Sequence, residues 1–479
     1  MKTKFQWRLS RQGIPSAAKA ADITSAFSTL SAAATTKKAL PLMIAGCLSA
    51  GGFATLAHGA DLMAVYRDAI AYDAQFASAR AALDAGREKL PQGRAGLLPT
   101  VGLSASTTWN DVDTTRRIAG ATETNTSYNS NGWTVQLTQP LFRWQNWVSY
   151  TQSELAVVQA EAQFGLARQE LIVRAAQAYF DVLLAQDTLA TAQAQKVAIA
   201  EQLESAKRNF EVGTATITDT HEAQARYDLT SAQEIAALND LNVKRQVLRT
   251  VIGREPEGLK NLRPGVQLAG PQPDDINKWV EMAESASASV QIYQALYEIA
   301  TREIEKQRAG HYPTLDLVAT RGRSSATNSS TLGFGSDSNA STIGLQLSLP
   351  IYAGGAVVSR DREAVALKEK AGSDLDNARR TAALNARQAY LGVSSGLAQV
   401  KAYEAALTSS QSALDSNKLG YEVGVRINID VLNAQSQLFD TRQKLAKARL
   451  DTLAALLKLK AAAGSLGEDD VAAVNALLD

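Results

Sequence analysis

Bond-making chemistry needs clustered nucleophiles, metal ligands or a phosphate cradle, and this chain offers none. Its one cysteine, Cys47, and its three histidines, His58, His221 and His311, are scattered, which excludes an internal disulfide framework and speaks against a zinc or histidine metal centre. No Gly-rich loop ending in Gly-Lys-Ser or Gly-Lys-Thr occurs, so no nucleotide site is expected. We therefore expect no catalytic residue, no metal and no cofactor. The side chains with chemistry to offer are charged. Arg426 and Asp430 stand four residues apart at an expected helix start, a spacing that often gives an exposed pair worth ~0.2–0.5 kcal/mol. Asp219 sits where a helix's first turn readily takes an acid.

The elements that carry these groups come in two copies. Val212, Gly213, Asp219 and Gln224 have counterparts in Val423, Gly424, Asp430 and Gln435, all at the same offset, which Gly253 and Gly464 share. Upstream, Leu98-Pro99-Thr100 matches Tyr312-Pro313-Thr314, and Gln139-Pro140-Leu141 matches Leu349-Pro350-Ile351. The chain is a tandem duplication. Each copy reads helix, strand, polar loop, strand, very long helix, Gly-containing turn, helix. The first copy places these at 61–94, 99–109, 110–132, 133–142, 143–209, 210–218 and 219–252; the second at 275–309, 313–321, 322–342, 343–351, 356–420, 421–428 and 429–463.

Of eleven prolines, none lies between Pro140 and Pro256 and none follows Pro350, as long helices require. Leu171, Ala175, Ala178, Val182, Ala185, Leu189 and Ala192 step by four and three, a coiled-coil rhythm that Tyr390, Val393, Leu397, Val400, Leu407, Leu414 and Tyr421 repeat. A helix over 143–209 would extend roughly 100 Å, and the shorter helices match it only if stacked end to end. A long rod of paired helices is implied.

In the second copy Ile343, Leu345, Leu347, Leu349 and Ile351 alternate with small or polar residues; Val135 and Leu137 begin a weaker version in the first. This is the pattern of tilted membrane strands of ~9–11 residues, and a soluble sheet packed on one face would share it. Trp109, Trp133, Trp144 and Trp147 near strand ends favour the membrane. Four strands cannot close a barrel, and an open edge in lipid is forbidden by its unpaired backbone groups, so a membrane sheet here must oligomerise.

Residues 1–38 carry seven basic side chains against Asp22 alone, followed by an apolar run from Ala39 to about Ala57. This reads as a secretory signal cleaved near Ala60. Ile44-Ala45-Gly46-Cys47 resembles a lipobox, making Cys47 a candidate lipidation site instead. With 49 basic and 48 acidic residues, the chain lacks the bulk positive charge of a nucleic-acid binder.

Asp61-Leu62-Met63-Ala64-Val65-Tyr66, Tyr312-Pro313-Thr314-Leu315-Asp316, Leu349-Pro350-Ile351-Tyr352, Ile429-Asp430-Val431-Leu432 and the two Val-Gly turns together resemble the TolC family of bacterial outer-membrane channels, from Asp61 to Asp479. The resemblance implies a mainly α protein with β: a homotrimer whose protomers each give four strands to one twelve-stranded outer-membrane β-barrel, set in outer-membrane lipid and continued by a long α-helical coiled-coil periplasmic tunnel. It divides the chain into a targeting segment (1–60), a first repeat (61–253), an equatorial linker (254–274), a second repeat (275–464) and an equatorial tail (465–479). The implied partners are a periplasmic membrane-fusion adaptor and an inner-membrane ABC transporter, which supplies the energy.

The resemblance also assigns the tip. Val212, Gly213, Val423 and Gly424 would form the adaptor-contacting turns. Asp219, with Thr218 beside it, would accept from Tyr421 and Arg426 as the periplasmic gate links. Asp430 would face the pore and form a carboxylate ring at the constriction; Asn433 stands where the family's best-known member has a second acidic ring, so cation binding there is expected to be weaker. The segment from Gly420 to Leu432 resembles the branch serving type I export of repeat-in-toxin proteins, of the cyclolysin-exporter kind, so a protein toxin is the expected cargo. Small-molecule efflux is the alternative, and a soluble periplasmic coiled-coil scaffold is the alternative of another class.

Overall fold

The computed structural model describes residues 60–115, 123–256, 258–329 and 333–479; Cys47 and the expected cleavage region before Ala60 lie outside the described residues. Strands β1 (Thr100–Thr115), β2 (Glu123–Phe142), β3 (Thr314–Ala326) and β4 (Ser336–Ser348) form one antiparallel sheet in the order β1-β2-β3-β4. Register explains its two faces, because directly opposed residues share a face. Val101 opposes Leu137, which opposes Ala319, which opposes Ile343. One residue along, Gly102 opposes Gln136, then Thr320, then Thr342. An apolar band thus backs a polar and small-residue face. The band is bare in the protomer, with Leu103 72% and Ile343 76% exposed, which suits lipid rather than water.

The strands run further than expected. The expected polar loops 110–132 and 322–342 are mostly strand, because hairpin pairing satisfies the backbone beyond the apolar band. Side chains of the expected loop join the ladder: Asn110 Nδ2 donates to Ser130 Oγ at 2.9 Å, Asn125 Nδ2 to Asp113 at 2.7 Å and Ser127 Oγ to Asp111 at 2.8 Å. At the other end β4 stops at Ser348, so the expected strand residues Leu349 to Ile351 fall outside it; Pro350, which has no N–H, fits a strand end. Pro140 lies inside β2, at a register irregularity between Pro140 and Phe142.

Helix α4 (Trp144–Glu211) has 68 residues and α8 (Ala356–Glu422) has 67, roughly 100 Å each at the α-helical rise. Each turns back into a shorter helix, α5 (Ile217–Ile252) and α9 (Asn428–Ala462). The expected helix 61–94 is three, α1 (Leu62–Tyr72), α2 (Ala74–Arg87) and α3 (Lys89–Ala95), laid along α4. The first break has a cause: Asp73 is buried, caps α2 by accepting from Phe76 N at 2.7 Å, and pairs with Arg174 of α4 at 2.8 Å. The expected helix 275–309 is α6 (Ile276–Ala286), α7 (Ala288–Arg308) and a 3₁₀ turn, parted at buried Ser287.

The heptad residues Leu171, Ala175, Ala178, Val182 and Ala185 are buried in the largest core cluster, with Leu62, Val65 and Tyr66 of α1 and Leu453 and Leu457 of α9. The C-terminal segment also forms a helix, α10 (Glu468–Asn475), whose Val471 and Val474 join that core. Tyr179 ties the linker to α4 by donating to the Lys260 carbonyl at 2.7 Å. Among the described residues no helix is long and apolar enough to cross a membrane.

Candidate functional site

The two helical hairpins end in turns of the same backbone. Gly213 and Gly424 both adopt φ 76°, the left-handed conformation that glycine takes without a Cβ penalty. Thr214 N and Ala215 N both donate to the Asn209 carbonyl, at 2.8 and 3.1 Å; Val425 N and Arg426 N donate to the Gly420 carbonyl at 2.8 and 3.0 Å. Val212, Val423 and Val425 are exposed at 72%, 65% and 77%, so both turns leave apolar side chains bare.

The side chains diverge. In the first turn Thr216 caps α5: its Oγ1 accepts from Asp219 N at 3.3 Å and donates to Asp219 Oδ2 at 2.8 Å, while Thr216 N donates to the same oxygen at 3.0 Å. This reciprocal capping box engages the Asp219 carboxylate. In the second turn Ile427 stands at the cap and offers no hydroxyl. Asp430 is thereby left to Arg426, at 3.7 Å. Gly420 makes room for that arginine, since a Cβ there would lie 2.7 Å from Arg426 Cγ.

The expected links from Tyr421 and Arg426 to Asp219 are not among the bonds within this one protomer. Tyr421 Oη accepts from Asn209 Nδ2 at 3.1 Å instead, and Arg426 faces Asp430. Asn433 Oδ1 accepts from Arg226 Nη2 of α5 at 2.9 Å. Thr218 is exposed on the first turn of α5.

Asn428, which no local sequence pattern marks, joins the two hairpins here. Asn428 opens α9 and is 1% exposed. Its Oδ1 accepts from Gln202 Nε2 of α4 at 2.5 Å, and its Nδ2 donates to the Asp219 carbonyl at 3.4 Å. Leu432, one turn further along α9, packs with Ile199, Leu203, Ala206 and Ala223 of the other hairpin. The available signal was the repeat itself: the counterpart of Asn428 is Ile217, 47% exposed, so the duplication has placed a polar group where the other copy has an aliphatic one. Higher up the first hairpin, Lys196 Nζ meets Glu234 Oε2 at 2.8 Å, which holds the ammonium above and the carboxyl below their ordinary pKa ranges.

Among the described residues no group of His, Cys, Asp and Glu could hold a metal. What the arrangement can do is mechanical and electrostatic: present paired apolar tips, and join two hairpins through a few breakable polar contacts.

A family model described as outer membrane efflux protein matches residues 65–254 and 279–465. Outer membrane protein TolC of Escherichia coli (strain K12) is 34% identical over 449 residues, 92% of this chain and 89% of that protein. Alkaline protease secretion protein AprF of Pseudomonas aeruginosa is 33% identical over 416 residues, 86% of each chain. The crystal structure of outer membrane protein VceC from Vibrio cholerae superposes with a TM-score of 0.72 at 20% identity, covering 84% of this chain and 96% of that one, a likeness of fold. The open sheet with its apolar band and the long hairpins are accordingly a barrel sector and a tunnel wall, and the chain belongs to the outer membrane efflux protein family of TolC-like outer-membrane transport channels.

Proposed function

We propose that this protein is the outer-membrane exit channel of a type I secretion system, a homotrimer that carries an exported protein, a toxin or a protease, from an inner-membrane ABC transporter and a periplasmic adaptor to the exterior. The observation that carries the channel reading is the sheet: its β1 and β4 edges are unpaired in the protomer while its apolar band is exposed. In lipid such edges must pair, and pairing β4 of one copy with β1 of the next closes a barrel. The cargo reading is supported by relatives named for protease secretion.

At the far end the exposed valines of the two turns dock the adaptor. The entrance closes when second-copy side chains engage first-copy ones: Arg426 and Tyr421 reach Asp219 and Thr218, across protomers where the protomer itself provides no such bond, and Asp430 with Asn433 lines the constriction. Small-molecule efflux is the second reading, favoured by the description of the matched family.

The test is complementation in a cell lacking its own outer-membrane channel, supplied with an ABC exporter, its adaptor and a protease or toxin substrate. Export of that protein is expected. Restored tolerance to small toxic molecules without protein export would replace type I secretion by efflux.

A further inference from the structure

Arg226 carries a positive charge near the expected constriction that the tip turns do not account for. It lies on α5, and its side chain makes a single hydrogen bond among the described residues, the 2.9 Å bond from Nη2 to Asn433 Oδ1 on α9. No described carboxylate lies within the 4.0 Å of an ion pair. Asp228, two residues on, accepts from Gln224 at 2.9 Å. Asp430, by contrast, faces Arg426 at 3.7 Å. A guanidinium stays charged at every working pH. Asn433 lies ~4.5 Å along the helix from Asp430, so Arg226 adds a positive charge about one helical turn from that carboxylate.

We propose that Arg226 is a selectivity-determining residue of this entrance: held by Asn433, its guanidinium offsets the Asp430 carboxylate, so that the constriction passes anions as readily as cations. A ring of carboxylates alone would attract cations and repel anions. With a second guanidinium about a turn from each carboxylate, chloride passes, and so do carboxylate-rich stretches of a threaded polypeptide. The inference rests on the reading, made above, that Asp430 and Asn433 line the constriction.

The experiment is the reversal potential of the purified full-length channel in planar bilayers under a KCl gradient, for the wild type and for Arg226→Gln, Arg226→Lys and Asp430→Asn. Gln keeps an amide donor for Asn433 and loses the charge; Lys keeps the charge. A unit charge at contact range in water changes local ion occupancy severalfold, so Arg226→Gln is expected to raise the potassium-to-chloride permeability ratio at least about threefold, as the same estimate gives. Arg226→Lys is expected to match the wild type, and Asp430→Asn to shift the ratio the other way. An unchanged ratio in Arg226→Gln alongside a shifted one in Asp430→Asn overturns the role of Arg226. Unchanged ratios in both remove Asp430 from the constriction, and with it the reading beneath.

Discussion

The turn after α4 and the turn after α8 share one backbone, with left-handed glycines at φ 76° in each, yet they put charge to different uses. In the first, Thr216 folds the Asp219 carboxylate into a capping box. In the second, Ile427 cannot, and Asp430 faces Arg426. In the first, Ile217 points at solvent; in the second, its counterpart Asn428 is buried against the other hairpin. Duplication supplied the scaffold twice, and a few substitutions then made one turn a self-contained stop and the other a set of contacts.

Changes that act on one turn alone should therefore have no equal in the other. The largest effect is expected at Asn428. Replacing it with Ala leaves the Gln202 amide and the Asp219 carbonyl short of a buried partner, a cost of ~1–3 kcal/mol, read as faster hydrogen exchange in the first turns of α9. Ile217→Ala, at the exposed counterpart, should stay within about 0.5 kcal/mol; equal losses at both sites would erase the asymmetry.

Gly213→Ala and Gly424→Ala probe what the turns share. Neither Cβ would meet an atom within 4 Å, so backbone strain alone acts, about 1–2 kcal/mol and the same in both. A clear difference between their exchange rates would mean the turns are not one backbone in solution. Thr216→Val removes the capping box for about 1 kcal/mol, quickening exchange at the start of α5 and leaving α9 alone. Ile427→Thr is the reciprocal and smallest change: a cap at α9 gained for some tenths of a kcal/mol, as caps at the weak end contribute, with Asp430 drawn from Arg426 toward the new hydroxyl. Exchange at the Asp430 amide unchanged by that substitution would show that the cap residue does not decide the carboxylate's partner.

Much of this was legible in the residues. The repeat, the Val-Gly turns and the two long helices follow from a fixed offset and from where proline is missing; the heptad seam is buried from Leu171 to Ala185 and at Ala192, whereas in the second copy Val393, Val400 and Leu414 are buried and Tyr390, Leu397, Leu407 and Tyr421 only partly. The strand ends were not legible, because Ser, Thr and Asn in 110–132 carry little strand preference of their own and gain it by pairing across a hairpin. The break at Asp73 was half hidden for a similar reason: besides capping α2 through Phe76 N, its carboxylate is held by Arg174, a hundred residues on. At the tip, Arg426 with Asp430 was readable from spacing, whereas Asn428 looks like any polar residue at a helix start. Its burial depends on α4 and α5 of the other copy, which no local pattern contains.

We propose that the tip is a closed entrance kept shut by polar contacts between second-copy and first-copy side chains. Single-channel conductance in planar bilayers, for the wild type beside Asp219→Ala and Arg426→Ala, tests this most directly. A small wild-type conductance that rises in both variants is the predicted result, since each change removes one contact group from every protomer. Conductance that is the same in all three would contradict the account.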